Sequence, residues 1–164
     1  MGPADATAAE PPWLSPQGLA WTARILEGHR RAYGVPLLAG LAERPLRLQA
    51  QELFATASVV LAHDGGDDPR LVYANGAALR LWRRPWSALV GMPSRLTAEP
   101  AERRARAGAL ALARRRQAIS NYGGIRIDSQ GRRFRIEGAR LWTLRNEAGD
   151  ACGQAAGFES WWWI

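Results

Sequence analysis

From Val59 to Trp161 the chain sets out, in order, two short strand patterns, a group of short helical segments, one long uninterrupted helical stretch and three further strand patterns. Few folds accept that order. The strand pairs are joined by turn-rich segments short enough for hairpins, so they predict an antiparallel sheet, and the helical block between them must lie across one of its faces. A chain of 164 residues has room for one such α+β domain and an N-terminal extension.

The residues carry this reading segment by segment. Val59-Val60-Leu61-Ala62-His63 is a continuous apolar, β-branched run ended by Asp64-Gly65-Gly66-Asp67-Asp68-Pro69, which predicts a strand buried on both sides followed by a polar hairpin loop. Leu71 to Ala74 return, and Asn75-Gly76 close the strand where Asn can cap a helix or turn left-handed. Short helices are expected over Ala77–Trp82 and Pro85–Leu89. The longest runs from about Ala101 to Ile119, with Ala101, Ala105, Ala109, Leu112 and Ile119 on one stripe. Gly124 to Asp128 and Arg133 to Glu137 alternate around a Ser129-Gln130-Gly131 turn, so that Ile125, Ile127, Phe134 and Ile136 share one face. Gly138 marks a bulge or a close backbone approach. The strand then continues through Trp142, turns at Asn146 to Asp150, and returns from Cys152 to Trp161.

Ahead of this block, residues 1–12 have the composition of an unstructured tail. A helical extension over residues 13–52 follows. Ser15-Pro16 supplies a cap and a first-turn proline, Leu19, Ala23, Leu26 and Arg30 follow at helical spacing, and Gly34 with Pro36 ends the helix. Pro45 opens a second helical stretch to Phe54. The domain proper is expected over residues 53–164, with the extension packed on or near it.

Composition excludes several classes. No apolar run approaches the roughly 18 residues a membrane span needs, and no signal peptide is read at the N-terminus, so a cytoplasmic protein is expected. One cysteine, Cys152, allows neither an internal disulfide nor a cysteine-rich zinc site. The formal charge of +7 raises the question of nucleic acid. All the basic residues are Arg, scattered from Arg24 to Arg145, and the arginines of the long helix read as a solvated outer face, which disfavours that partner.

Several segments together resemble a known family. They are Val59 to His63, Tyr73-Ala74-Asn75, Ala77-Ala78-Leu79, Pro93-Ser94-Arg95-Leu96-Thr97-Ala98-Glu99-Pro100, Tyr122 to Ile127, Gly131-Arg132-Arg133-Phe134 and Gly153-Gln154-Ala155-Ala156. This set is similar to the MEKHLA domain, found at the C-terminus of plant class III homeodomain leucine-zipper proteins and as small stand-alone bacterial proteins. Ala62-His63-Asp64 departs from it, standing where the pattern usually reads Ser-His-Gly. The resemblance implies a PAS-like fold, a five-stranded antiparallel sheet with helices on one face, and a sensing or interaction role without a stated reaction or ligand.

A PAS-like cleft would draw its ligand contacts from His63, Tyr73, Asn75, Trp82, Arg95, Tyr122, Arg126, Trp142 and Gln154, with Trp86 nearby: aromatic walls with a few polar anchors, as small-molecule sites have. The same residues would serve as ordinary core and rim. Haem is disfavoured because Ala101 to Ser120 offers no His, Met or Cys as axial ligand. Light-driven flavin chemistry needs a helix-borne Cys, whereas Cys152 lies on a strand. Gln154 sits where light-sensing relatives carry a flavin-contacting Gln, which leaves room for a bound flavin without an adduct. Ser94 or Thr97 is expected to cap the long helix, and Arg95 to meet a carboxylate. Catalysis is the weaker class, because no Ser-His-Asp order, HExxH or phosphate loop is present and no metal site is expected. An enzyme would have to use Arg95 and Arg126 as anion anchors with Glu137 or His63 as base. Trp161-Trp162-Trp163 cannot all be covered by one sheet face, which points to a homodimer or other protein contact.

Overall fold

The computed structural model describes residues 9–164, so the first part of the expected tail lies outside the described residues. A 3-10 turn, Pro12–Leu14, leads into helix α1, Pro16–Tyr33. Ser15 caps α1 through its side-chain oxygen, which accepts from the Gly18 amide at 3.1 Å, and Gly34 ends it in a left-handed conformation with φ 72°. Helix α2, Leu46–Ala55, follows. The domain then runs β1 Val59–Asp64, β2 Leu71–Ala74, α3 Gly76–Trp82, α4 Trp86–Leu89, a 3-10 turn Ser94–Thr97, α5 Pro100–Arg116, β3 Ala118–Ile127, β4 Arg133–Arg145, β5 Ala151–Phe158 and β6 Ser160–Trp163.

All pairings are antiparallel, in the spatial order β2-β1-β5-β4-β3, and β6 pairs with β4 off this path. The sheet therefore has six strands where five are expected. β5 and β6 are one returning segment interrupted at Glu159: β5 lies along Arg140 to Arg145 of β4, and β6 along Phe134 to Glu137. The terminal tryptophans thus extend the sheet. Trp161 and Trp163 pack edge-on around Phe134, the Arg132 guanidinium lies 3.8 Å over the Trp163 ring, and Trp162 faces solvent.

Both faces of the sheet are covered. Val59, Leu61, Phe134, Ile136, Ala139 and Phe158 pack beneath Leu81, Trp82 and Leu89 of α3 and α4. On the other face Val60, Ala62, Trp142, Leu144 and Ala155 pack against Trp21, Ile25 and Leu53 of α1 and α2. This explains why β1 is apolar without alternation: its odd and even residues meet different helical layers. The N-terminal extension is a full layer, tied down by Trp142 Nε1 donating to the Ile25 carbonyl at 3.1 Å and Tyr33 Oη donating to the Ile119 carbonyl at 2.7 Å.

Two registers differ from the sequence expectation. In the β3–β4 hairpin Arg126 pairs with Phe134 and Gly124 with Ile136, so Arg126, not Ile125 or Ile127, shares the face of Phe134 and Ile136. In α5, which ends at Arg116 and leaves Ile119 to β3, the inward stripe is Arg103, Arg106, Leu110 and Ala113, offset from the expected alanine stripe, and only Ala113 is fully buried. The expected cap from Ser94 or Thr97 is also absent. Glu99 occupies the N-cap without a side-chain bond and pairs with Arg133 at 2.6 Å, while Thr97 Oγ1 donates to the Ser94 carbonyl.

Asn75 joins three elements. Its buried Oδ1 accepts from the Val60 and Ala78 amides at 3.0 and 3.2 Å, and its Nδ2 donates to the Leu53 and Ser58 carbonyls at 3.1 and 2.7 Å. All its hydrogen-bonding capacity is used to hold α2, β1 and the start of α3 together. Asn75→Ala should cost roughly 3 kcal/mol, since it removes a cap and strands buried backbone groups. Urea unfolding measures this, and a loss below about 1 kcal/mol would contradict the joint.

Candidate functional site

The layer of α3 to α5 does not close completely on the sheet. Between α5 and the face formed by β1, β3, β4 and β5 lies a cavity of about 50 Å³, walled by Leu61, Leu71, Trp82, Ile136, Leu141 and Phe158. Its polar groups are few: His63 from β1, Gln154 from β5, Tyr122 and Arg126 from β3, Arg106 from α5, and Thr97 from the 3-10 turn, whose hydroxyl already donates to the Ser94 carbonyl. Beside it opens a larger polar cleft of about 660 Å³ between α5 and the Asp64–Pro69 loop, and Arg106, Leu110 and Gln154 border both spaces. They form the partition between an apolar chamber and a wet vestibule.

Each polar group has a definable state. His63 Nδ1 lies 2.7 Å from the Asp64 carbonyl, an acceptor, so this nitrogen carries the proton and Nε2 presents a lone pair. Nε2 is buried and has no protein partner. Burial holds the imidazole below its ordinary value of 6.5, opposed by the carbonyl contact and reinforced by the Arg106 and Arg114 charges, so the ring is neutral at neutral pH. Gln154 Nε2 donates to the Leu110 carbonyl at 3.1 Å, which ties the middle of α5 to the sheet, and its buried Oε1 is unpartnered. Two buried acceptors on residues that wall the chamber are therefore unpartnered.

The donors are cationic. Arg126, only 6% exposed, donates from Nη2 to Tyr122 Oη and from Nη1 to the Ile125 carbonyl, both at 2.9 Å. Arg106 is pushed down to about 10 by burial and by the Arg126 charge. Among the described residues neither guanidinium has a carboxylate within ion-pair distance. Sequence reasoning misses Arg106 because an arginine between two others on a polar helix reads as solvated. The available signal is spacing, since Arg106 is four residues before Leu110 and seven before Ala113, on their face.

Of the residues expected at the cleft, His63, Trp82, Tyr122, Arg126 and Gln154 come together at the chamber. Tyr73 and Trp142 do not: both are buried on the α1 face, where the partly buried Trp86 meets Tyr73 edge-on at 5.7 Å. Asn75 is consumed by the joint described above. Arg95 meets a carboxylate as expected, Asp68 at 3.2 Å, but this half-exposed pair borders the vestibule and not the chamber. Of the residues named for the enzyme reading, His63 and Arg126 meet at the chamber, Arg95 lies at the vestibule, and Glu137 lines a groove on the opposite face beside His29 and Trp142. Among the described residues no cluster of three or more metal-ligating side chains forms, and no helix is long and apolar enough to cross a membrane.

A flavin does not fit the chamber as it stands. Ligand clefts for molecules of that size span roughly 300–1,000 Å³, several times the 50 Å³ present. No cysteine borders it, and Cys152 packs toward the α1 face at the irregular end of the β4–β5 pairing, with burial pushing its thiol up.

The family model of the MEKHLA domain matches residues 19–163. No curated protein matches the chain. Among solved structures, a PAS domain from Colwellia psychrerythraea superposes with a TM-score of 0.61 at 12% identity, covering 68% of this chain and 92% of that one. An RNA-binding light-oxygen-voltage receptor gives 0.58 at 24% identity over 75% of this chain, which spans 35% of the receptor's length. A light-oxygen-voltage domain described in connection with a flavin analogue gives 0.56 at 16% identity, covering 71% and 84%. At these identities the likeness is one of fold.

Both histidines are held neutral. His29 Nδ1 donates to the Val35 carbonyl at 2.9 Å and Nε2 accepts from Arg140 at 3.0 Å, and burial lowers its affinity for a second proton. Below 6.5, the ordinary value of both rings, the unfolded chain binds more protons than the folded one. The stability contributed is therefore whole above that value and falls as pH drops from it toward the lower folded values. The urea midpoint should decrease between about pH 7 and pH 5.5, and His29→Gln and His63→Gln should each flatten the decrease. A midpoint that holds or rises on acidification would show that the rings are not buried neutral.

Proposed function

Since the chain belongs to the MEKHLA domain family and has a PAS-like fold, we propose that it is a sensory module in which a small ligand enters the chamber beneath α5 and changes how that helix lies on the sheet. The observation that carries this is the mismatch between α5 and its bed. Seventeen residues long, the helix buries only Ala113 fully, sets Arg106 against the chamber where an ordinary packed helix carries a leucine, and has Gly108 at an exposed interior position. Little apolar burial holds it down. Gln154 to Leu110 is the side-chain bond at its centre, and Arg145 Nη2 to Gln117 Oε1, at 2.6 Å, fastens its C-terminal end. A helix held by a few polar bonds over a cavity opens locally at lower free energy than the sheet does.

The output on this reading is a protein contact. Trp162 and Trp163 remain 44% and 38% exposed on β6, at the end of the sheet farthest along the chain from the extension, and a second copy or another protein would cover them. A ligand as large as a flavin would require α5 to move outward before it could be seated.

Two substitutions test the mobile-helix reading in opposite senses. Gln154→Ala should raise amide hydrogen exchange in residues 106–116 by about fivefold while leaving β1 and β5 protected, consistent with losing about 1 kcal/mol of tethering. Gly108→Ala, where an added methyl meets open space, should slow exchange in the same residues, because alanine favours the helix by about 1 kcal/mol. Uniform exchange across α5 and the sheet in both variants would mean that the helix does not move independently.

A further inference from the structure

We propose that the chamber selects a small hydroxycarboxylate, its carboxylate lying between Arg106 and Arg126 and its hydroxyl donating to His63 Nε2 or Gln154 Oε1. This rests on the sensory reading above and specifies its ligand. Four observations converge on it. Two guanidiniums face one cavity with no described carboxylate to neutralise them. Desolvating a cation without a counter-ion is unfavourable, more so for the buried Arg126 than for the half-buried Arg106, which also borders the vestibule, so a bound anion relieves part of a cost already present. Tyr122 Oη and the Ile125 carbonyl take only part of the donor capacity of Arg126, and Arg106 has no hydrogen-bond acceptor among the described residues.

The acceptors narrow the class further. His63 Nε2 and Gln154 Oε1 are buried, at 6% and 3% residue exposure, and unpartnered. A simple carboxylate offers them nothing to accept, whereas a hydroxyl does. An ammonium group would also donate, but the guanidiniums facing the same small cavity repel it. Size sets the remaining limit. The 50 Å³ of free space accommodates about four water-sized groups at roughly 10–15 Å³ each, which favours the smallest members of the class, with the carboxylate toward the Arg106 border. Apolar walls from Leu61, Ile136 and Phe158 suit its hydrocarbon part and disfavour a strongly hydrated dianion such as phosphate.

The ordinary alternative is that Arg106 extends past the chamber into the vestibule and is simply hydrated there. The alternatives separate by experiment. Thermal unfolding of the full chain is followed at fixed ionic strength with about 10 mM glycolate, lactate, 2-hydroxybutyrate, propionate, lactamide, inorganic phosphate or chloride. At least one of the hydroxycarboxylates should raise the midpoint by about 3 °C over chloride, with propionate less effective and lactamide and phosphate without effect. Arg106→Met should abolish the response while melting no lower than the parent in chloride, because it removes an uncompensated charge. In long-range imidazole spectra, where only two histidines need be assigned, the effective ligand should shift His63 Nε2 and leave His29 unmoved.

Stabilisation by lactamide equal to that by lactate would overturn the anion class and leave a ligand-binding chamber standing. An equal effect of phosphate, or a hydroxycarboxylate response that survives in Arg106→Met, would mean a non-specific surface effect and would likewise overturn it. No response to any hydroxycarboxylate would overturn this ligand class, whereas independent opening of α5 in the exchange experiment is decided separately.

Discussion

The change of phase in β4 at Gly138 decides what each face of the sheet contains. Gly138 has φ 66°, a conformation glycine adopts without strain, and it sits where the pairing with β3 shifts register. Before it the even residues Phe134 and Ile136 point under α3 to α5; after it the odd residues Ala139 and Leu141 do. Trp142 and Leu144 are thereby sent to the α1 face. Without this extra residue Trp142 would fall on the chamber side, and a fully buried indole there would fill the space that now stands open. The same point separates the two partners of β4, since β6 lies along the half before the bulge and β5 along the half after it.

Closing one face firmly is what permits a cavity on the other. Trp142, wholly buried, stacks edge-on with His29 and Tyr33 and donates to the backbone of α1, so the sheet is held to its second helical layer by both dispersion and directed bonds. The N-terminal helices are therefore part of the structural argument for the chamber and not an appendage to it. Asn75 couples the two layers, because its side chain bonds to α2 on one side and caps α3 on the other.

Much of this was legible in the residues. The apolar, non-alternating β1 announced a strand covered on both sides, Ser15-Pro16 and Asn75 announced helix starts, and the order of elements announced the sheet with its helical insertion. What could not be read was phase. A single left-handed glycine inverts every side chain after it, and alternation counted across Gly138 places Trp142 on the wrong face. Likewise the hairpin register that puts Arg126 beside Phe134 is set by the length of the loop between Ile127 and Arg133, which no apolar pattern marks. The inward arginines of α5 were hidden for a different reason: patterning assigns charges to the outside, and a site that holds charge inside breaks that rule where function requires it. Tyr73 and Trp86 illustrate the converse error, since aromatic residues near a cleft in sequence packed instead against the extension.

The chemistry of the chamber follows from how unequally the sheet and α5 are held. Main-chain pairing fixes His63, Gln154 and Arg126 on three strands, whereas Arg106 is presented by a helix with one fully buried residue. A rigid acceptor set thus faces a cation on a loosely held support. The charges of Arg106 and Arg126 repel, which opposes the Gln154 to Leu110 bond, and the anion proposed above would reverse that sign. The opposed terms act at one end of the same short span, and Gln154 belongs to both, holding α5 through Nε2 and offering Oε1 to the chamber. On the proposed reading, ligand occupancy and helix position are not separate events joined by a pathway, because one amide side chain and one pair of like charges would set both.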